Sequence, residues 1–310
     1  MPSVTLAESA KLAQDELVAG VIENIIIVNR MFELLPFDGI EGNSLAYNRE
    51  NVLGDVITAG VGTTFSGAAA GKAAATFTKL NANLTTIMGD AEINGLIRAT
   101  RSGDGNDQAE VQIASKAKSA GRKYQDMLIN GTGAGNDFAG LITTCAAGQK
   151  VATGTNGGAL SFTFMDELLD LVTDKDGAVD YMIMHARTIR SYKALLRALG
   201  GAAINEVYEM PSGATVPAYS GVPIYRNDYI PINQTKGAGT NQTSIFAGTF
   251  DDGSRTHGLT GLTASKAAGI QIVPVGEKED ADEFIWRVKW YCGLALFSEK
   301  GLALADGITN

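Results

Sequence analysis

Cysteine and histidine are scarce in this chain of 310 residues. It has two cysteines, Cys145 and Cys292, and two histidines, His185 and His257. The cysteines lie far apart in sequence and form no CxxC pair, which excludes zinc-ribbon, thioredoxin-like and disulfide-framework proteins. We expect both cysteines to be buried, reduced thiols. No HExxH motif is present, so we expect no histidine-built metal site.

Long apolar runs are also missing. The longest, from Val21 to Val28, is interrupted by Glu23 and Asn24. It is far shorter than the roughly 20 apolar residues that cross a bilayer. No basic segment followed by an apolar segment comes after Met1, as a secretory signal would require. The sequence therefore predicts no membrane span and a chain that stays in the cytosol where it is made, unless a larger assembly carries it out.

Positive charge is under-represented. The chain has 25 Lys and Arg against 34 Asp and Glu, which gives a formal net charge of −9. This balance opposes the counterion-release binding that holds many proteins on nucleic acid. We therefore do not expect a protein that reads DNA sequence. With 45% hydrophobic and 19% charged residues, the composition is typical of a globular protein.

Motifs for nucleotide binding and catalysis are incomplete or absent. The segment from Gly67 to Ala73 approaches a phosphate-binding loop, but it has too few residues between its glycines and no Ser or Thr after Lys72. No GxSxG motif is present. His185 follows an apolar segment that Asp180 precedes, so an α/β enzyme with a site near these two residues is one alternative. We otherwise expect no catalytic residue and no cofactor.

An acidic segment lies between Glu277 and Glu283, with five carboxylates in this short span. Such a cluster could bind calcium, but it lacks the glycine turn of an EF-hand. The preferred interpretation is a solvated hairpin tip. It would join two antiparallel strands that alternate in hydropathy, at Ile270–Val275 and Phe284–Phe297.

Periodicity predicts helices at four places. The first lies near the N-terminus, where Leu6, Ala10, Ala13, Leu17 and Val21 recur at steps of four and three. Between Asp107 and Asn130, apolar residues recur at steps of three and four, with Tyr124 on the apolar face. Asp107 is the predicted N-cap, and Gly131 is the predicted left-handed residue that ends the helix. Further along, the predicted helices 161–172 and 189–199 flank the short apolar strand 181–184, which together make an α/β unit.

Glycine, by contrast, is abundant, with 37 residues in the chain. From Ala59 to Ala75 almost every residue is Gly, Ala, Thr or Ser, and such small side chains cannot bury a core of their own. From Phe77 to Leu84, apolar and polar residues alternate as in a half-buried strand. The sequence therefore predicts an extended arm or hairpin that returns to a sheet.

The order of these elements resembles the major capsid proteins of tailed bacteriophages, whose Hong Kong 97 fold is shared with encapsulin compartments. The resemblance covers nearly the whole chain and depends on the order and spacing of its segments. Besides the Gly/Ala arm, those segments are 77–84, 91–94, 128–131, 138–141, 219–225, 245–248 and 301–304.

This resemblance implies an α+β fold that is divided as in that family. The implied ranges are an N-terminal arm at 1–35, a connector at 36–45, an extended E-loop at 46–82, a first part of the P-domain at 83–144 with its spine helix at 107–130, an α/β axial A-domain at 145–265, and P-domain return strands with the C-terminus at 266–310.

The resemblance also implies a function. The chain would be a structural, non-enzymatic protein that self-assembles into hexamers and pentamers of an icosahedral shell around double-stranded phage DNA, without sequence-specific binding. It would assemble in the bacterial host cytoplasm and remain in the virion. The implied partners are a separate scaffolding protein, a portal protein and, as an option, decoration proteins. An encapsulin-type nanocompartment is the alternative within the same fold.

Candidate interface and hinge residues follow from the same resemblance. They are Gly60, Gly62, Gly67 and Gly71 in the loop, Lys72 at its tip, Tyr124 on the helix, and Gly221, Val222 and Pro223 in the axial domain. The alternative for each is an ordinary loop glycine or, for the tyrosine, a core residue. Lys72 and Lys79 are the candidates for the family's covalent crosslink, but no asparagine is singled out as the partner.

Overall fold

The computed structural model describes residues 31–58, 60–62, 71–101, 107–151, 153–174, 177–199, 207–210 and 213–309. Most of the predicted N-terminal arm, including its predicted helix, lies outside these residues, as does Gly67. Within the described part, no helix has the length and hydropathy of a membrane span.

The chain is a mixed α+β protein, and its described residues form two large sheets and a separate hairpin. Its strands are β1 (Phe37–Ile40), β2 (Ser44–Val52), β3 (Thr76–Asn83), β4 (Thr85–Asn94), β5 (Lys150–Val151), β6 (Gly158–Ala159), β7 (Tyr181–Met184), β8 (Val207–Glu209), β9 (Thr215–Tyr219), β10 (Val222–Arg226), β11 (Gln234–Lys236), β12 (Gly239–Gly248), β13 (Leu259–Ala264), β14 (Gln271–Lys278), β15 (Ala281–Leu296) and β16 (Leu302–Thr309). Its α-helices are α1 (Met31–Leu34), α2 (Gly95–Arg101), α3 (Gln108–Asn130), α4 (Leu141–Thr144), α5 (Phe162–Thr173) and α6 (Ala186–Ala198).

A five-stranded sheet is built around the long strand β15. This strand pairs antiparallel with β14 over residues 281–289, with β4 over 283–292 and with β13 over 292–296, and β1 joins β13 in parallel. The two antiparallel strands predicted between residues 270 and 297 are therefore confirmed. The acidic segment lies at the exposed turn between them, as the preferred interpretation expected.

The spine helix α3 packs on this sheet with the face that its period predicts. Asp107 caps the helix by accepting a hydrogen bond from the N–H of Ala109. Ala120, Tyr124 and Met127 are buried, and the Tyr124 ring lies 4.6 Å from the ring of Trp290 in β15. Burying a large apolar side chain stabilises a fold by about 1.5–3 kcal/mol, so this face anchors the helix.

The end of the spine helix differs from the prediction. Gly131 is not left-handed, because its φ is −54° and its ψ is 131°. Its N–H donates to Met127 O, and its carbonyl accepts from the N–H of Gly140. A Cβ on Gly131 would lie 2.2 Å from Phe138 O. Glycine is therefore required here by the close approach of the following loop rather than by a left-handed backbone.

Replacing Gly131 with alanine is expected to lower the free energy of unfolding by about 2–4 kcal/mol, because two backbone carbonyls must move. Gly121→Ala is the matched control. Gly121 lies in the same helix, and nothing lies within 4 Å of its Cβ position. Alanine there should stabilise the helix by about 0.5–1 kcal/mol. Urea unfolding followed by circular dichroism measures both changes, and equal stability of the two variants would contradict this account.

The second sheet has nine strands. Its main path is β5-β16-β12-β7-β10-β9-β8, with β6 beside β16 and β11 beside β12. The predicted α/β unit lies at its centre, since β7 follows α5, precedes α6 and pairs in parallel with β10. Ser161 caps α5 as part of this unit, by accepting from the N–H of Phe164.

The two faces of the nine-stranded sheet have different partners. On one face, Met182 and Met184 of β7 pack in a core with helices α5 and α6. On the other face, Tyr181 and Ile183 share a core with the end of the spine helix and with β15. Because all four residues of β7 are buried, this strand lies between the two layers.

The sheets do not follow the predicted domain ranges. Strand β13 falls in the predicted A-domain range 145–265, yet it pairs with β15 of the five-stranded sheet. Strand β16 falls in the predicted P-domain range 266–310, yet it pairs with β12 of the nine-stranded sheet. The pairing depends on contacts between distant segments, which local sequence patterns do not encode. The division into domains stays a prediction.

Candidate functional site

The predicted arm is a β-hairpin. Strands β2 and β3 pair antiparallel from Ser44–Asn83 to Val52–Thr76. Beyond the ladder, the N–H of Asp55 donates to Ala73 O at 2.9 Å. The two sides of the arm therefore stay together past the last paired residue. We call residues 44–83 the arm.

The arm exposes apolar side chains that have no core of their own. Leu53 and Val56 are 76% and 88% exposed. Val52, Val61 and Phe77 are also exposed. An exposed apolar group of this extent is typical of a surface that binds another protein. The arm is therefore the strongest candidate for an assembly surface.

The root of the arm is held on the body by two polar side chains. Arg49 donates from Nε to Phe297 O at 3.0 Å and from Nη2 to Leu296 O at 2.8 Å. Its Nη1 lies 2.8 Å from Glu299 Oε1. The hydroxyl of Tyr47 donates to Leu296 O at 2.9 Å. These contacts fix the direction in which the arm leaves the body.

Apolar packing completes the root. Ala82 is buried in a cluster with Ile40 and Phe297, and Leu45 and Leu84 pack against it. The ring of Tyr47 meets that of Phe297 edge to face, with centroids 5.3 Å apart. The alternation predicted for residues 77–84 is confirmed on this side.

Sequence reasoning missed Arg49 and Tyr47. The available signal was the spacing of Leu45, Tyr47 and Arg49 at every second position, which places the three side chains on one face of a strand. It could not name their partners, which lie about 250 residues further along the chain.

The loop residues of the arm have separate roles. Gly62 and Gly71 have φ values of 87° and 69°, which glycine adopts without strain. The N–H of Gly71 donates to Asp55 Oδ2. Gly60 and Lys72 are exposed on the arm. Four of the five loop candidates thus lie together on the arm, and Gly67 lies outside the described residues.

Tyr124 is a core residue. Its side chain is 1% exposed, and its hydroxyl donates to Gly293 O at 3.3 Å. Burial raises the pKa of this hydroxyl well above its usual value. Its ring also contacts Phe37 and Phe138. The alternative of a core tyrosine therefore describes its position, since it stabilises the helix on the sheet and has no free surface.

The axial candidates lie on a different sheet from the arm. Ser220 and Gly221 form the turn between β9 and β10, with φ values of 51° and 78°. Val222 pairs with Tyr219 across this tight hairpin, as two left-handed turn residues favour. Val222 and Pro223 are buried. Gly221 is thus an exposed turn residue, and the two that follow support the nine-stranded sheet.

The structure separates the two residues of the enzyme alternative. Asp180 precedes β7 and accepts hydrogen bonds from Thr249 Oγ1 and Phe250 N. His185 follows β7, where its Nδ1 accepts from the N–H of Arg187 and caps helix α6. A four-residue strand is about 13 Å long. The predicted helix therefore begins earlier than Ile189, and His185 and Asp180 do not form one site.

The environment of His185 is consistent with a structural role. Partial burial lowers the pKa of its imidazole, while the nearby carboxylate of Asp228 acts in the opposite direction. Asp228 is itself held by Arg226. This arrangement favours the neutral ring, whose lone pair is needed for the cap.

Acidic groups do not assemble a metal site at the predicted tip. Among the described residues, Asp251, Asp252 and His257 are the one set of three potential ligands that come close together. The carboxylate of Asp251 already accepts from the backbone N–H groups of Gly253 and Arg255. At the tip, Lys278 lies 3.6 Å from Glu283.

Comparison with known proteins gives one family. A model described as the phage capsid family matches residues 58–266. No curated protein matches the sequence.

Solved structures share the fold at low sequence identity. The SrpI encapsulin complex from Synechococcus elongatus PCC 7942 aligns over 99% of this chain and 96% of its own, with a TM-score of 0.74 and 18% identity. A structure from Mycobacterium phage Bobi aligns over 100% of both chains, with a TM-score of 0.64 and 12% identity. The capsid of Myoviridae phage XM1 aligns over 99% of this chain and 100% of its own, with a TM-score of 0.63 and 10% identity. The α+β fold expected from the resemblance is thus confirmed.

Proposed function

Because this chain belongs to the phage capsid family, we propose that it is a major capsid protein whose copies form the hexamers and pentamers of an icosahedral shell around double-stranded DNA. Its role is structural and needs no cofactor. The shell would assemble in the host cytoplasm with a separate scaffolding protein and a portal protein, and decoration proteins are a further option. The mature location is the virion.

One observation carries this proposal, namely the exposed apolar arm on a fixed root. Leu53 and Val56 are exposed on a hairpin that Arg49 holds at a set direction. A partner that covers the arm removes its apolar surface from water. In a symmetric shell, a neighbouring copy of the chain can serve as that partner for every subunit. Modest contacts suffice there, because a closed assembly multiplies them.

The net charge of −9 is compatible with this role. A like-charged wall does not hold packaged DNA by counterion release, so the DNA stays free of the shell. The small number of basic residues thus favours a shell that encloses DNA over a protein that binds DNA tightly. Hinge and interface roles for Gly60, Gly62, Gly71 and Gly221 remain part of the proposal.

Electron microscopy of the purified chain tests the proposed function. We expect closed shells when the chain is expressed alone or with the scaffolding protein encoded beside it. Monomers at all protein concentrations under both conditions would contradict the proposal.

An encapsulin-type compartment is the second candidate function, and the similarity to the SrpI encapsulin fold favours it. The contents of the particles distinguish it from a phage capsid. Particles made during infection should hold double-stranded DNA if the chain is a capsid protein. Particles filled with a protein cargo would indicate an encapsulin-type compartment instead.

A further inference from the structure

Helix α5 carries an acidic surface. Asp166, Glu167 and Asp170 are all exposed on it. Asp166 accepts a hydrogen bond from the hydroxyl of Tyr219. The side chains of Glu167 and Asp170 have no hydrogen-bond or ion-pair partner in the described part of the chain. We call these three carboxylates the acidic surface.

Helix α6 carries the opposite charge. Arg190, Lys193 and Arg197 are exposed, and their spacing places them on one side of the helix. None of the three has an ion-pair partner among the residues that the structure describes. We call these three cations the basic surface.

The two surfaces belong to the same layer of the fold. Leu168 of α5 and Tyr192 of α6 lie in one core on the same face of the nine-stranded sheet. The rings of Phe162 and Tyr192 are 6.4 Å apart. Although the helices are neighbours, no salt bridge joins the two surfaces within the described residues. The opposite charges are therefore available to another molecule.

Like charges repel each other on both helices, although Arg197 in the last turn of α6 is favoured by the helix dipole. Asp166 and Asp170 are four residues apart, and Lys193 and Arg197 are also four apart, so like charges face each other on each helix. Asp170 also lies in the last turn of α5, where the helix dipole disfavours a carboxylate. A partner of opposite charge would relieve both repulsions.

We propose that the acidic surface of one copy binds the basic surface of the next copy. The contact joins two different surfaces, so it is heterologous, and repetition around an axis closes a ring. A chain that carries both charges in one layer suits this geometry, because each copy offers one surface to each neighbour. This inference rests on the proposed function, since it names the contact by which subunits join into rings.

A groove beside the acidic surface suits the partner's long cationic side chains. It has a volume of about 480 Å³ and lies between α5 and the β9–β10 turn. Asp166 and Asp170 line it together with the apolar Leu169, Val179 and Val222. Lys and Arg side chains pack their aliphatic stems on apolar surface and keep the charged end near carboxylates. The groove therefore offers both kinds of contact.

Charge reversal tests the proposal. The first variant combines Arg190→Glu, Lys193→Glu and Arg197→Glu, and the second combines Glu167→Lys with Asp170→Lys. Each variant alone should raise the protein concentration needed for half-maximal assembly about tenfold or more, because several attractive pairs become repulsive. An equimolar mixture should restore six-membered rings, since the two variants can alternate there and each meets a neighbour of opposite charge, whereas a ring of five cannot alternate them.

Controls separate this contact from folding and from the proposed function. Arg190→Lys with Arg197→Lys keeps the charge and should assemble as the unmodified chain does. Thermal unfolding of the charge-reversed variants should match that of the unmodified chain, because all the changed side chains are exposed. If the unmodified chain forms shells and both reversed variants do so at the same concentration, the proposal is overturned while the proposed function stands. Normal assembly with reduced DNA retention would also overturn it, by assigning the basic surface to nucleic acid.

Discussion

Deleting residues 60–74 is expected to leave a folded chain that forms no shells. The deletion removes the exposed Val61 and shortens the arm, while the β2–β3 ladder from Ser44–Asn83 to Val52–Thr76 is retained. The removed residues that the structure describes lie outside the buried core. The free energy of unfolding should therefore change by less than about 1 kcal/mol. Thermal unfolding measures the first expectation, and negative-stain electron microscopy measures the second.

A second variant separates the reach of the arm from its apolar character. Val52→Ser, Leu53→Ser and Val56→Ser together keep the length of the chain and remove apolar side chains that are exposed in the single subunit. If the arm binds a neighbour through these side chains, this variant should also fail to form shells while its thermal stability is unchanged. Shells of normal size and number from the deletion variant would refute the role of the arm.

Local patterns in the sequence predicted the elements that are stabilised by their own periodicity. The spine helix follows from the three-and-four spacing that includes Ala120, Tyr124 and Met127, and the structure buries these residues. Strand β3 follows from the alternation that buries Ala82. In both cases one face of a continuous segment packs on a neighbouring surface, so its apolar residues recur with a regular period. That period can be read from the segment alone, and it predicts the helix or the strand.

Contacts between distant segments were not predictable in this way. The backbone of Gly131 depends on the position of Phe138, whose carbonyl would clash with a Cβ. Strand β16 completes a sheet whose other strands precede it in the chain by dozens of residues or more. The helix predicted from Ile189 starts instead at Ala186, because His185 caps it. The first two of these three features depend on which distant segments contact each other in the fold. Local sequence patterns do not specify those contacts.

For the same reason, the sequence did not predict the role of Arg49, which holds the root of the arm on the body. Its guanidinium reaches two carbonyls and a carboxylate near the end of β15. A hydrogen bond to a charged group is worth about 1.5–3 kcal/mol, so the arm root is held firmly. An extended chain from Arg49 to Gly62 spans up to about 40 Å. A tilt of about 10° at the root would therefore move the arm end by about 7 Å, which is larger than a side-chain contact.

Arg49→Ala is consequently expected to abolish regular shells while lowering the free energy of unfolding by only about 1.5–3 kcal/mol. Arg49→Lys should give an intermediate assembly yield, because a single ammonium group cannot reproduce the forked contact with both carbonyls. Lys266→Ala is the control: it removes an exposed cation from the body of the chain, outside the arm. Sedimentation and electron microscopy compare the three variants at equal concentration. If Arg49→Ala assembled as well as Lys266→Ala, the direction of the arm would not depend on Arg49, and the apolar root around Ala82 and Phe297 would have to set it alone.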